Sequence, residues 1–397
     1  MFFQKGLISS FGMCASVSRM LPGSFLWSIV SLAVAWQAGP ASAQSTYTWT
    51  GGGANGLWSN AANWVTTGNP SPPATAQNYV LAGTTRLTGT TGNRTGASLT
   101  FAAAAGPFMI NPASAVPLTS FTLAGPIANL SSSVQTINTG VSLTGIGGQV
   151  LDTGSNGVSV TVFNQFVGGQ RLGVIGSGRA VFNATNTNPQ MTVASGATIS
   201  GTGRLNSIDI RSGGTLTPGG TAATSYGTMT LGSVNTSNGS FIVSGGTAST
   251  IAMGISGTSR GTSYDSLLVN GTGNQYGGGL LALTFDNSTK YDVGTTFDLF
   301  QFPVVSPSGN LGAIQVNGGP YDGLAFSGPT DGVWVSSANT DGQYLVFSQL
   351  TGDLVVVPEP STLVFAGIGA AVSGWSLRRR HRGRKGRSPM VSSGFII

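Results

Sequence analysis

Two short segments of this chain, 17 residues apart, follow the same pattern. Residues 193–199 read VASGATI and residues 210–216 read IRSGGTL. In each, an apolar residue precedes a Ser-Gly turn, and a threonine and a second apolar residue follow it. A unit this short cannot bury its apolar side alone, so copies of it stack on one another. The echo predicts stacked β-coils with aliphatic ladders inside and Thr, Ser and Asn outside.

The composition agrees with an all-β chain that has many tight turns. Charged residues make up 7% of the sequence, where about 25% is usual, and 62 residues are glycine. From residue 80 to about 285, short β-type runs alternate with Gly, Asn and Ser. Residues 100–190 follow the 17-residue cadence only loosely.

A different pattern follows Lys290. Asp-Gly pairs recur at Asp322-Gly323, Asp331-Gly332 and Asp341-Gly342 between apolar runs. Asp-Gly favours type I′ hairpin turns, because both central residues need a positive φ. We therefore expect antiparallel hairpins that cap the stack over residues 291–356. Calcium binding by these aspartates is the weaker alternative, since no calcium-binding repeat or EF-hand loop is present.

The chemistry available between residues 44 and 357 is narrow. The only cysteine, Cys14, and the only histidine, His381, lie outside this body, and it contains no glutamate. That excludes disulfides, Cys- or His-based zinc sites and Ser-His nucleophile pairs from the body. Its formal charge is −2, whereas each end is basic, so a nucleic-acid partner is not expected.

The front of the chain has the layout of a secretory signal. Lys5 and Arg19 precede the apolar residues 21–36, and Gly39-Pro40 precedes a small-residue cleavage site at Ala41-Ser42-Ala43. We expect residues 1–43 to be a signal peptide, with Gln44 as the first mature residue. The alternative is an uncleaved anchor helix, and the true start could be Met13 or Met20.

The back of the chain has three parts in a fixed order. Val357-Pro358-Glu359-Pro360 comes first, the uncharged residues 361–377 follow, and a basic cluster occupies residues 378–387. Seventeen helical residues span about 25 Å, enough to cross the hydrocarbon core. The basic cluster would stop transfer and stay cytoplasmic, which places the body outside. This cluster consists of Arg378, Arg379, Arg380, Arg382, Arg384, Lys385 and Arg387.

The two prolines around Glu359 predict an extended, poorly hydrogen-bonded run that a peptidase cleft could take up. This tail, residues 357–387, resembles the PEP-CTERM sorting domain, in which a V-P-E-P-[ST] motif precedes a short transmembrane helix and an Arg-rich end. The resemblance implies a transient partner, a membrane exosortase, and a final location at the cell surface or in the extracellular matrix. An ordinary single-pass anchor is the alternative, and residues 388–397 extend past the usual end of such tails.

The body also carries a family resemblance. Trp49, Trp58 and Trp64, in a W-x-G…W…NW opening, and residues 197–220 resemble autotransporter-associated β-strand repeat proteins. The resemblance implies a parallel β-helix over residues 44–290. The three tryptophans would close one end of the stack and hide strand edges; a sugar-stacking platform is the alternative.

The remaining candidate for catalysis is the pair Asp209 and Arg211, which alternation places on one outer face of a strand. An isolated surface ion pair is the simpler interpretation. We therefore expect a non-enzymatic surface or matrix protein without metal or cofactor. The resemblance to exosortase substrates implies a Gram-negative host that makes exopolysaccharide, which the polar face would bind. A polysaccharide lyase or hydrolase and a passive coat protein are the alternatives.

Overall fold

The computed structural model describes residues 45–66, 77–113, 120–145, 149–157, 160–163, 168–169, 171–185, 190–220, 225–232, 239–285 and 289–359. The predicted signal peptide, including Ala41, Ala43 and Gln44, lies outside these residues, as do Pro360, residues 361–377 and the basic cluster. In the described part of the chain, no helix is long and apolar enough to span a membrane.

The described chain is almost entirely β-structure, with three single-turn 3-10 helices at Ala61–Asn63, Gly246–Ala248 and Gly319–Tyr321. The strands are β1 (Thr46–Trp49), β2 (Trp64–Thr66), β3 (Gln77–Leu81), β4 (Thr88–Thr91), β5 (Arg94–Phe101), β6 (Met109–Pro112), β7 (Ser120–Leu123), β8 (Ile127–Asn129), β9 (Val134–Ile137), β10 (Gly140–Leu143), β11 (Gln149–Asp152), β12 (Val160–Phe163), β13 (Gly168–Gly169), β14 (Leu172–Ile175), β15 (Arg179–Phe182), β16 (Met191–Val193), β17 (Thr198–Gly201), β18 (Arg204–Leu205), β19 (Ile208–Ile210), β20 (Thr215–Pro218), β21 (Thr228–Leu231), β22 (Phe241–Val243), β23 (Thr250–Ile255), β24 (Ser266–Val269), β25 (Gln275–Gly277), β26 (Leu280–Phe285), β27 (Thr296–Asp298), β28 (Phe300–Gln301), β29 (Ser308–Asn310), β30 (Ala313–Asn317), β31 (Phe326–Thr330), β32 (Val333–Ser336), β33 (Gln343–Ser348) and β34 (Asp353–Pro358).

Most of these strands form parallel sheets, and successive strands along much of the chain are added to these sheets in turn. The first sheet includes β16, β19, β22 and β25; the second includes β17, β20, β23 and β26; the third is β18, β21, β24 and β28. From β14 to β26, consecutive strands join different sheets, and each strand pairs with the equivalent strand of the next turn; before that, β7 and β8, and β10 and β11, lie in the same sheet. This is the β-helix-like arrangement expected of stacked coils.

The 17-residue echo corresponds to strand register. Val193 pairs with Ile210 in the first sheet, and Ile199 pairs with Leu216 in the second. All four side chains are fully buried. Full burial of an aliphatic side chain contributes about 1.5–3 kcal/mol, so the apolar positions of the echo form the inner ladder of two successive coils. The two echo segments thus pair in parallel and in register, which is consistent with a β-helix-like body.

Other coils have different lengths. Ile208 pairs with Phe241, 33 residues later, and Thr215 pairs with Thr250, 35 residues later. Most of the additional residues lie along the chain between β20 and β21 and between β21 and β22, so the sequence spacing changes while the register of the strands is kept. The strands therefore stack in regular register, although the number of residues per coil varies.

Near the N-terminus, the three tryptophans fill the interior. Trp49, Trp58 and Trp64 expose at most 3% of their surface. The ring centroids of Trp49 and Trp58 lie 5.0 Å and 5.1 Å from that of Trp64, in edge-to-face geometry. Strand β2 pairs antiparallel with β1 and covers it on one side. The alternative of a sugar-stacking platform is wrong, because a ring must be exposed to stack on a sugar.

Strands β27 and β31–β34 form an antiparallel sheet, as the Asp-Gly pattern predicted. Asp331-Gly332 joins β31 to β32 with φ values of 51° and 78°, which is the type I′ requirement. The other two pairs behave differently. Asp322-Gly323 forms a type II turn with Asp322 at φ −56° and Gly323 at φ 69°. Asp341-Gly342 lies in the longer loop that joins the antiparallel strands β32 and β33, with a positive φ of 72° at Gly342 only. The hairpin prediction therefore holds for two of the three pairs, and the type I′ geometry holds for one.

The antiparallel sheet is attached to the last parallel strands. The Gln349 side chain donates to the carbonyl oxygen of Gly309 at 3.0 Å and accepts from the Leu311 N–H at 3.3 Å and from the Trp334 indole N–H at 3.2 Å. The parallel pairing itself continues to β30, past residue 290, the predicted end of the coiled part. The last parallel strands thus lie within the segment expected to be the cap.

Candidate functional sites

The end of strand β34 leads directly into the Val-Pro-Glu-Pro motif. Val356 is fully buried. Its N–H donates to the carbonyl oxygen of Thr295 at 2.9 Å, and its own carbonyl accepts from the Gly294 N–H at 2.8 Å. Both backbone groups of Val356 are therefore held by the turn that precedes β27. Val356 is the last residue before the Val-Pro-Glu-Pro sequence. The chain is therefore hydrogen-bonded to the body directly before this sequence begins.

The first two motif residues still belong to the sheet. Val357 pairs with Tyr344, and Pro358 pairs with Gln343. Alternation places Val357 opposite Tyr344 in a hydrogen-bonded pair. The poorly hydrogen-bonded run is expected around Glu359, which follows this pair. Pro358 has no N–H to donate, and the N–H of its partner Gln343 donates instead to the side chain of Asn339 at 2.8 Å. Pro358 and Glu359 are exposed.

Charged side chains surround this exit. Lys290 Nζ lies 3.2 Å from a carboxylate oxygen of Asp341, and both side chains are about half exposed, at 47% and 45%. An ion pair this open contributes only about 0–1 kcal/mol, because water screens it. Asp292 and Glu359 are also exposed, so the region carries an excess of negative charge.

The tail itself was compared with known protein families. Residues 356–380 match the family model of the PEP-CTERM protein-sorting motif. The chain therefore carries a sorting motif of proteins that are exported to the cell envelope or surface and interact transiently with an exosortase. No curated protein and no solved structure matches the chain, and no match supports the autotransporter-associated resemblance of the body.

The candidate catalytic pair lies on the first sheet. Arg211 Nε donates to a carboxylate oxygen of Asp209 at 3.3 Å, and the Ser244 hydroxyl donates to the other oxygen at 2.5 Å. Asp209 pairs in register with Thr192 on one side and Ile242 on the other. Neither neighbour is a carboxylate, so the adjacent coils do not supply the second acid that hydrolysis by paired carboxylates requires. Among the described residues, no group of three or more His, Cys, Asp and Glu could hold a metal ion.

A shallow, open groove of about 480 Å³ lies on the same sheet. Its only titratable lining residue is Asp152, whose side chain accepts from the Gly154 N–H at 2.8 Å. The groove is lined by Ala124, Gly125, Pro126, Ala128, Gln149, Val150 and Asp152. A single carboxylate without a basic neighbour in the groove gives it no acid–base pair.

The second sheet carries an ordered row of polar side chains. Thr198, Thr215 and Thr250 are in register on three successive coils, and Arg179 precedes them in the same row. All four are partly exposed. Neighbouring strands lie about 4.8 Å apart, so the threonine hydroxyls form a regular ladder. Thr198 and Thr215 are the threonines of the sequence echo. Thr250 follows Thr215 by 35 residues, so the 17-residue offset of the echo does not reveal that it belongs to the same row.

Burial shifts the titration of two tyrosines in the core. Burial raises the pKa of Tyr79 to about 12, and the nearby Arg94 charge opposes that rise. Burial also raises the pKa of Tyr276, which is fully enclosed. These phenols stay neutral at physiological pH and act as packing groups.

Proposed function

We propose that this protein is a non-enzymatic surface or extracellular-matrix protein whose mature body binds exopolysaccharide after an exosortase has processed its tail. The threonine ladder of Thr198, Thr215 and Thr250 is the observation that carries this proposal. Its hydroxyls repeat at a spacing close to the rise per sugar of an extended glycan, so one polysaccharide chain can meet equivalent groups on each coil. β-Branched threonines are stiff at χ1, which limits the entropy lost on binding.

The mode of binding follows from the chemistry of the row. Each hydroxyl both donates and accepts a hydrogen bond, as sugar hydroxyls do. A single such contact contributes about 0.5–1.5 kcal/mol, so affinity depends on many contacts along the sheet. Arg179 at one end of the row favours a glycan that carries carboxylate groups.

Retention on the host's own exopolysaccharide tests the proposal. The purified body should be retained, and the triple variant T198A/T215A/T250A should lose affinity by about tenfold or more, equivalent to one or two such contacts. The matched control is T88A/T258A/T340A, which removes three exposed threonines that are not aligned. Equal retention of both triple variants would contradict ladder binding, and no retention of the unmodified body would favour a passive coat.

The rival function is polysaccharide cleavage at Asp209 and Arg211. It is tested by incubating the body with acidic polysaccharides, with and without calcium. We expect no release of unsaturated or reducing ends. Release that disappears in D209A would overturn the non-enzymatic proposal.

A further inference from the structure

The chain is fixed to the folded body immediately before the motif. Val356 is held through both its N–H and its carbonyl, and its side chain is fully buried. Val357 adds one more pairing, to Tyr344. Pro358 offers no donor, and Glu359 is exposed. The position of the motif relative to the body is therefore set at Val356.

The free length beyond that point is short. Four residues lead from Val356 to Pro360, and an extended chain spans at most about 3.6 Å per residue. The far end of the motif can thus lie no more than about 14 Å from the buried valine. Val357 and Pro358 still belong to β34, so a peptidase can take up the chain only from Glu359 onward. A peptidase is much larger than about 14 Å, so its surface must touch the body around the exit.

The body presents a defined surface there, which we call the exit rim: Lys290, Asp292, Val293 and Asp341. The turn with Asp292 and Val293 leads into Gly294 and Thr295, which hold Val356. Asp341 precedes Gly342, where an added Cβ would lie 3.5 Å from a carboxylate oxygen of Glu359. Val293 is 52% exposed, so a partner that covered it would remove apolar surface from water. The rim is thus an exposed valine in an acidic setting.

We propose that the exit rim is the docking surface for the membrane peptidase that processes the sorting motif. The inference rests on exosortase processing of this chain. The peptidase would meet the rim with a basic surface that covers Val293, since complementary charge favours encounter and burial of the valine favours the docked state. The substrate would then be recognised through its folded body as well as through its motif.

The experiment measures tail processing of the full-length protein in cells that contain the exosortase, by pulse-chase and mass. V293K puts positive charge at the centre of the rim, and we expect processing to slow by about tenfold. V65K is the matched control, because Val65 is 58% exposed on β2 at the other end of the coils; it should be processed at the unmodified rate. Thermal unfolding of both variants verifies that the body folds, and D292K replaces V293K if the latter unfolds early.

A spacer separates docking from other effects. Six Gly and Ser residues inserted between Val356 and Val357 lift the requirement for contact, so V293K should no longer slow processing in the spaced chain. Normal processing of V293K without the spacer would overturn the proposal. The proposal would also fail if the spacer accelerated processing while V293K had no effect, because that result would indicate that the spacer acts by releasing β34. If the unmodified chain is not processed at all, the sorting function itself fails, and that outcome is distinct.

Discussion

The N–H of Val356 donates to the carbonyl oxygen of Thr295 at 2.9 Å, one residue before the Val-Pro-Glu-Pro sequence begins. This bond joins the end of the body to a turn about 60 residues earlier in the chain. Folding of the antiparallel sheet therefore determines where the chain leaves the body before the Val-Pro-Glu-Pro motif.

Amide exchange should reveal this fixed point. We expect the N–H groups of Val356 and Gly294 to exchange as slowly as those of the core strands, because both are bonded and Val356 is buried. The N–H of Glu359 should exchange at close to the rate of an unfolded chain. Site-resolved hydrogen exchange measures all three. Fast exchange at Val356 in a folded body would contradict the hydrogen bonds that hold Val356 to Thr295 and Gly294.

The inner ladder should be far more sensitive to substitution than the outer face. I210A should lower the free energy of unfolding by about 2–5 kcal/mol, because it removes a buried side chain and leaves a cavity between coils. R211A, the adjacent exposed residue, should cost no more than about 1 kcal/mol. Equilibrium denaturation with urea compares the two, and similar losses would be inconsistent with a coil interior at residue 210.

The turn at Asp331-Gly332 makes a conformational prediction. G332A should destabilise the body by about 1–2 kcal/mol, because alanine is strained at a φ of 78°. G92A is the control, since an added Cβ at Gly92 meets nothing within 4 Å and its φ is not in the left-handed region. Thermal denaturation of both variants provides the measurement. A neutral G332A would mean that the turn adopts another conformation.

Stability should fall in strong alkali but not near neutral pH. Tyr79 has its pKa raised from 10.0 to about 12 in the folded state. Between these values the unfolded chain loses the phenolic proton and the folded chain keeps it, so the unfolded state gains stability as the pH rises. We therefore expect the free energy of unfolding to decline from about pH 10 towards pH 12. The decline should be shallower in Y79F. Denaturation monitored by circular dichroism at several pH values measures it, and equal slopes of unfolding free energy against pH in the two proteins would contradict the prediction.

Processing of the tail predicts a defined mature mass. In cells with the exosortase, the mature protein should lack the basic cluster that starts at Arg378, because the sorting motif directs its removal. Intact-mass spectrometry of the bulk population provides the measurement. Peptides that run unbroken from Val357 into Arg378 in most molecules would refute processing.

The sequence by itself determined the features that depend on local chemistry. The β-coil pattern of residues 193–216 appears directly as strand register, since side-chain alternation and a Ser-Gly turn act over a few residues. Asp331-Gly332 specifies its hairpin because only a few residue types tolerate two positive φ values. The sorting motif can likewise be identified from the sequence, because its residues are contiguous in the chain.

Tertiary structure alone decided the features that join distant parts of the chain. Thr250 lies in line with Thr215, although no sequence period connects them. The edge-to-face contacts of Trp64 with Trp49 and Trp58 also depend on packing between segments that are separated along the chain. The hold on Val356 comes from Thr295, which neither pattern nor composition relates to the motif. Hydrogen bonds and burial act between neighbours in space, so these contacts exist only once the coils have stacked.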